Sequence, residues 1–258
     1  MLVLRSLLFN ILFYINLLFW MLVCVPTFVL PRLAFIRVAQ AWARSSLVLL
    51  KAVAGTGVEF RGRHNIPAGG LLVAVKHQSL WETFALFTLF DDPAFVLKRE
   101  LTWIPLFGWL ALKGRMVSVD RKAGSAALVA LNRRAREEVR KGRQILIFPE
   151  GTRRSAGAEP AYKLGIAHLY TNLGVPCLPV ALNSGIYWPR RSFLRHPGII
   201  VVEFLEPIAP GMARERFFEE LQARIESASD RLLAEAPHGL RPRSERPSSA
   251  PLTQPSTR

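Results

Sequence analysis

An imidazole and a carboxylate stand five residues apart in the stretch Val73-Ala74-Val75-Lys76-His77-Gln78-Ser79-Leu80-Trp81-Glu82-Thr83. Inside one helix that spacing puts them on different faces. The stretch instead runs from an apolar segment into a polar corner and then into a new apolar segment, which reads as strand, turn and helix start. With His77 before the helix and Glu82 in its first turn, the chain can fold back and join the two. A carboxylate behind an imidazole fixes its tautomer and stabilises the imidazolium, the arrangement of a general base. The same residues also fit a capping box, Ser79-Leu80-Trp81-Glu82, in which Glu82 only closes a helix end and His77 is a polar turn residue.

A second stretch with chemical potential is Pro149-Glu150-Gly151-Thr152-Arg153-Arg154, at the end of the apolar run Gln144 to Phe148. A buried strand ending in a glycine turn is where α/β folds keep ligand sites. Two guanidiniums beside a glycine suit a phosphate, because the arginine fork matches its oxygens. A solvated turn with stray arginines is the plainer reading. Gly114 to Arg121 ends another short strand in Asp-Arg-Lys, and Val175 to Leu182 is an apolar strand with two prolines that reads as core. The chain has no G-x-S-x-G elbow, Walker A loop, G-x-G-x-x-G or HExxH, and its five histidines lack metal-ligand spacing, so no metal is expected.

The elements that must position these residues alternate. Strands are predicted at Val58–Arg61, Leu71–Val75, Ala94–Leu97, Met116–Val119, Gln144–Phe148, Cys177–Leu182 and Ile199–Phe204. Helices are predicted at Thr83–Phe90, Trp103–Leu112 (opened by Pro105), Ala126–Lys141, Lys163–Asn172 and Arg214–Glu235. This alternation implies an α/β domain with a mixed, largely parallel sheet flanked by helices. It begins after Gly55 and Gly57 break the preceding helix, which gives a catalytic domain over 55–236. The tail, 237–258, is rich in Pro, Ser and Arg and reads as disordered.

Residues 1–54 form a different region. No charge occurs from Ser6 to Leu30, a run long enough to cross a bilayer core as a helix, with Pro26 expected to bend or end it. A buried core hairpin is the soluble alternative. In the next helix Arg37, Arg44 and Lys51 recur every seven residues and so share one face, as in a basic amphipathic helix on an anionic membrane. Together they read as an N-terminal helical membrane anchor, with the positive charge after the apolar run placing the catalytic part on the cytoplasmic side. The 258 residues carry a net charge of +15, which points to an anionic partner. The long apolar N-terminus and the lack of an aromatic-basic platform argue against nucleic acid. Two cysteines, Cys24 and Cys177, both in apolar runs, exclude a disulfide framework.

Taken together, four blocks resemble the glycerolipid acyltransferase family, specifically the acylglycerol-phosphate acyltransferases. They are Lys76-His77 to Glu82, Gly114 to Arg121, Phe148-Pro149-Glu150-Gly151-Thr152-Arg153, and Val175 to Val180, in the family's order. Lys98-Arg99-Glu100-Leu101 and Ile104 to Gly108 also resemble it, and the likeness covers about Val58 to Phe204. Two departures are plain: Glu82 stands where the family usually has Asp, and Lys76 where it has Asn.

The resemblance implies the family's fold and direct transfer of an acyl group, without an acyl-enzyme. The donor would be acyl-CoA or acyl carrier protein, a co-substrate rather than a resident cofactor, and the acceptor a lysolipid hydroxyl. His77 would act as general base oriented by Glu82. Arg121, Glu150, Gly151, Thr152 and Arg153 would form the site for the acceptor phosphate. The product is expected to be phosphatidic acid, in phospholipid biosynthesis, with the enzyme on the cytoplasmic face of the inner membrane. The other readings are an acyltransferase for another lysolipid, such as a lyso-ornithine lipid or a lysophospholipid, and a non-catalytic membrane protein that binds anionic lipid.

Overall fold

A computed structural model describes residues 1–240. The chain opens with two antiparallel helices, α1 (Leu2–Val23) and α2 (Arg32–Leu49), the second continued by a wider turn over Leu50–Ala54. There follow β1 (Thr56–Arg61), β2 (Leu71–Val75), α3 (Glu82–Ala85), β3 (Pro93–Lys98), α4 (Phe107–Lys113), β4 (Val117–Val119) and α5 (Gly124–Val139). The chain continues through β5 (Gln144–Ile147), α6 (Gly165–Leu173), β6 (Cys177–Leu182), α7 (Ser184–Tyr187), β7 (Gly198–Phe204) and α8 (Arg214–Glu235). The predicted tail lies almost wholly outside the described residues; within them it contributes only a short turn at His238–Leu240.

The seven strands form one sheet in the order β1-β7-β6-β2-β5-β3-β4. Every neighbouring pair is parallel except β6 with β7. The sheet is therefore mixed and largely parallel, as the alternating pattern implies. The central strand β2 is buried on both faces, which is why it reads as a continuous apolar run. Its alternate residues serve two cores. Leu71, Val73 and Val75 face a cluster with Phe9, Phe13, Trp81 and Phe84. Leu72 and Ala74 face one built by α5, α6 and α8, including Leu131, Leu169, Phe217 and Ile225.

The helical hairpin is thus one layer of a three-layer fold. Phe9 and Phe13 meet Trp188 edge-on, at ring-centroid distances of 5.3 and 5.5 Å. Arg5 Nε donates to the Val53 carbonyl at 2.8 Å, and Arg195 N–H donates to Ser6 Oγ at 2.9 Å. Within the hairpin, Asn16 Nδ2 donates to Ser46 Oγ, and Ser45 Oγ donates to Asn16 Oδ1. Asn10 and Asn16, the amide residues within the apolar run, thus help to fasten it, Asn10 Nδ2 donating to the Phe193 carbonyl at 3.0 Å. The division after residue 54 marks a helix end, where Gly55 turns at φ +74°, and not a break in packing.

Two elements differ from the sequence expectation. The helix predicted at Trp103–Leu112 is split into a 3-10 turn over Arg99–Trp103 and α4. Pro105 disfavours a helical residue before it, and Ile104 is extended. Gly108 fits closely rather than merely loosening the helix: a Cβ there would lie 2.0 Å from the Thr102 carbonyl oxygen. The helix predicted over Thr83–Phe90 is one α turn followed by a 3-10 turn at Leu86–Thr88.

Candidate active site

The turn after β2 and the turn after β5 meet at the same end of the sheet, because these strands are parallel neighbours. Arg154 N–H donates to the His77 carbonyl at 2.8 Å and ties the turns together. The His77 ring stacks on Phe148, with centroids 3.8 Å apart and planes 17° apart.

His77 and Glu82 are in contact, Nδ1 to Oε1, at 2.9 Å. The same oxygen accepts the backbone N–H groups of Gln78 and Ser79, each at 2.7 Å. The other oxygen accepts the hydroxyl of Ser184, on α7, at 2.8 Å. Glu82 is fully buried, while the His77 side chain retains 12% exposure. A carboxylate only accepts, so the proton belongs on Nδ1 and the Nε2 lone pair is left free to accept. The cap and the pairing are therefore one device: Glu82 closes the turn and orients the ring with a single oxygen. Gln78 completes the corner by accepting the Gly185 N–H at 3.0 Å.

Arg121, Gly151, Thr152 and Arg153 lie beside this pair. Gly151 turns at φ +67°, in the left-handed region open to glycine. The Arg121 guanidinium sits over it, 3.5 Å from where a Cβ would be. Burial lowers Arg121 from the usual arginine value, against the pull of Glu100, and the group stays cationic. The guanidiniums of Arg121 and Arg153 have no hydrogen bond or ion pair among the described residues. The backbone of Arg153 is fixed, since its carbonyl accepts Arg190 Nη1 at 2.6 Å. Two unpaired cations at a half-buried glycine turn can receive an anion.

Glu150 occupies a different position from its four companions. Its side chain is 1% exposed and its Oε1 accepts Lys76 Nζ at 3.1 Å. Lys76 also reaches Glu226 of α8 at 2.7 Å, and the Tyr162 hydroxyl donates to the same Glu226 oxygen at 2.9 Å. Burial, reinforced by Glu226 and Glu150, pushes the Tyr162 phenol far above its ordinary value, so it remains a donor. Glu150 is turned inward and would repel a phosphate. Its place is beneath the turn, where it holds the Gly151 corner against α8 through Lys76.

Lys76→Met is accordingly expected to leave Glu150 and Glu226 side by side without their cation. Breaking such a buried pair costs about 3–5 kcal/mol, or roughly 6–20 °C in melting temperature for a domain this size. Adding Glu150→Gln to Lys76→Met should recover part of the loss. Thermal denaturation is the measurement; if Lys76→Met melts with the wild type, the network contributes nothing.

Ser184, Phe148, Lys76, Tyr162 and Glu226 are the site residues that the sequence pattern does not single out for these roles. Ser184 follows β6 by two residues and meets Glu82 only because β6 and β2 are neighbours.

The Acyltransferase family model matches residues 57–183, which contain both turns and, of the residues just named, Lys76, Phe148 and Tyr162 but not Ser184 or Glu226. The chain is 39% identical over 202 residues to the 1-acyl-sn-glycerol-3-phosphate acyltransferase of Pseudomonas aeruginosa, covering 77% of each. It is 32% identical over 135 residues to the enzyme of that name from Cocos nucifera, covering 52% of this chain and 44% of the other. The crystal structure of the 1-acyl-sn-glycerophosphate acyltransferase PlsC from Thermotoga maritima has the same fold, with a TM-score of 0.77. That alignment has 24% identity and covers 92% of this chain and 100% of that one. On the family match and the extent of the bacterial relative, the chain belongs to the acyltransferase family.

Proposed function

We propose that this enzyme transfers an acyl group from acyl-CoA or acyl carrier protein to the free hydroxyl of 1-acyl-sn-glycerol-3-phosphate, giving phosphatidic acid. The observation that carries the reading is the buried Glu82 bonded to His77, beside the unpaired Arg121 and Arg153. His77 Nε2 takes the hydroxyl proton. The oxygen attacks the thioester carbonyl, a carbon–oxygen bond forms, and the carbon–sulfur bond breaks. The proton then leaves with the thiol, and the imidazole returns to its starting state. Arg121 and Arg153, with Thr152 and the Gly151 backbone, hold the acceptor phosphate. Much of the acceleration comes from holding hydroxyl and thioester together. The substrate class is also the one for which the relatives from Pseudomonas aeruginosa and Cocos nucifera are named. The test is a lysolipid panel assayed with both donors. Preference for a phosphate-free or zwitterionic lysolipid would overturn the acceptor assignment and favour the alternative lysolipids.

The same reading seats the enzyme on a membrane. Both α1 and the stretch Arg32–Ala54 are long and apolar enough to cross one. One face of α1, however, is held against the domain, while Leu4, Leu8, Ile11, Ile15 and Leu18 stand exposed along the other. A helix with a domain along its length and an apolar stripe outward lies in the interface rather than across it. The exposed Val29 and Leu30 of the hairpin tip continue this surface, and Lys113 Nζ, donating to the Leu30 carbonyl at 2.6 Å, brings the exposed Phe107 and Trp109 of α4 beside it. The basic residues after the apolar run support a cytoplasmic orientation of the domain. The intact chain is expected to sediment with membranes after alkaline carbonate and to be released by detergent. Recovery in the soluble fraction before carbonate treatment overturns the docking.

A further inference from the structure

The Arg37 and Arg44 repeat of α2 is not used by the reaction site. Both arginines line a groove of about 570 Å³ between α2 and the segment that leads into β3. Arg63, just after β1, forms a third basic wall. The groove sits where β3 begins, beside the start of β5, at the end of the sheet opposite His77. Its accessible apolar lining is the exposed Leu33 and the half-buried Leu89, with Ile36 and Phe90 buried behind them.

The charges of this groove are unevenly satisfied. Asp92 is already held by Arg32 and by Arg143, the latter at 3.0 Å. Burial draws its carboxyl upward, but the two guanidiniums prevail and hold it below its ordinary value. The guanidiniums of Arg37, Arg44 and Arg63 have no hydrogen bond or ion pair among the described residues, and of the carboxylates lining the groove only Asp91 is left to oppose them. Three free forks around one concavity suit a phosphate, which takes several charge-assisted hydrogen bonds at once.

We propose that this groove binds the headgroup phosphate of an anionic phospholipid, at a site separate from the reaction centre. The apolar lining selects the ligand class. A free phosphate has no use for Leu33 and Leu89, whereas a phospholipid brings its glycerol and upper chain against them. The groove is also continuous with the exposed hairpin tip, because Leu33 belongs to both. A lipid seated there would brace α2, which is at once a groove wall and a layer of the core. The proposal rests on the hairpin docking at a membrane and not on the acyl-transfer chemistry.

The experiment uses the full chain in neutral detergent, titrated with short-chain phosphatidylglycerol, phosphatidylcholine or inorganic phosphate, with thermal unfolding giving apparent affinities. Phosphatidylglycerol is neither acceptor nor product of the proposed reaction. Wild type is expected to be stabilised by phosphatidylglycerol well before phosphatidylcholine. Arg37→Gln, Arg44→Gln and Arg63→Gln should each weaken that binding roughly fivefold, from the ordinary contribution of one basic residue beside anionic lipid. The triple variant should lose it roughly a hundredfold while turnover in neutral detergent stays as in wild type. The single variants carry the test should the triple variant not fold. A control replacing Arg133 on α5, Arg140 just after it and Arg216 on α8 should retain the preference. Equal loss in that control means diffuse surface charge and overturns the site. Equal stabilisation by inorganic phosphate, lost in the groove variants, reassigns the groove to free phosphate and overturns the lipid.

Discussion

His77→Ala should lower turnover by two to four decades, the usual worth of a positioned base, while leaving the fold intact. The ring lies at a strand-end turn and loses one stacking contact, with Phe148, while the buried Glu82 keeps its backbone and Ser184 donors; what the substitution removes is the nitrogen left to accept a proton. Glu82 cannot substitute. It is fully buried, and its Oε1 is already engaged by the Gln78 and Ser79 N–H groups. Glu82→Gln tests the pairing from behind. The amide oxygen can keep accepting the three donors, and the amide nitrogen can turn Ser184 into an acceptor, so the corner survives. The charge that stabilises the imidazolium does not, and turnover is expected to fall on the order of a hundredfold or more. Glu82→Asp keeps the charge but withdraws it by a methylene inside a filled pocket, so part of the activity should remain. Initial rates at saturating donor and acceptor are the measurement, with circular dichroism as the check on folding. Near wild-type turnover in His77→Ala would falsify the base assignment. Wild-type turnover in Glu82→Gln would leave Glu82 as a helix cap alone.

Much of this site can be read along the chain because it is built from short loops at strand ends. His77 and Glu82 are joined by a single corner, and Gly151 and Arg153 by another, so local pattern places each pair. The order of strands is not local. Ser184 comes to Glu82 across 102 residues, and Glu226 to Lys76 across 150. Neither contact has a periodicity to betray it. Glu150 shows the limit most clearly. In sequence it stands between Phe148 and Arg153 as one more polar turn residue; in space it points inward to Lys76, because α8 supplies a neighbour that no local reading contains. The apolar N-terminus poses the same difficulty at larger scale. Composition records that α1 is long and hydrophobic. Only the packing of Phe9 and Phe13 on Trp188 distinguishes a layer of the fold from a detached anchor.

Arg153→Ala should raise the apparent constant for lysophosphatidate roughly 10 to 150-fold, at little cost to that for the acyl donor. A phosphate monoester carries between one and two negative charges near neutral pH and offers three strong acceptor oxygens. Each charge-assisted hydrogen bond to it is worth about 1.5 to 3 kcal/mol, which sets the range through the exponential relation of energy to affinity. Arg153 is suited to this because its carbonyl is fixed by Arg190 while its fork remains free. Arg153→Lys should recover only part of the loss, since it restores the charge without the paired donors. Arg121, lying over Gly151 from the side, should behave alike when replaced by Ala. The two effects should be less than additive, because both forks meet one phosphate. Varying lysophosphatidate and donor separately for wild type, each single variant and the double variant gives the answer. Were Arg153→Ala to raise the donor constant alone, the arginine would belong to the thioester's headgroup. Were the two variants strictly additive, Arg121 and Arg153 would be reading different parts of the substrate, and the shared phosphate would have to be abandoned.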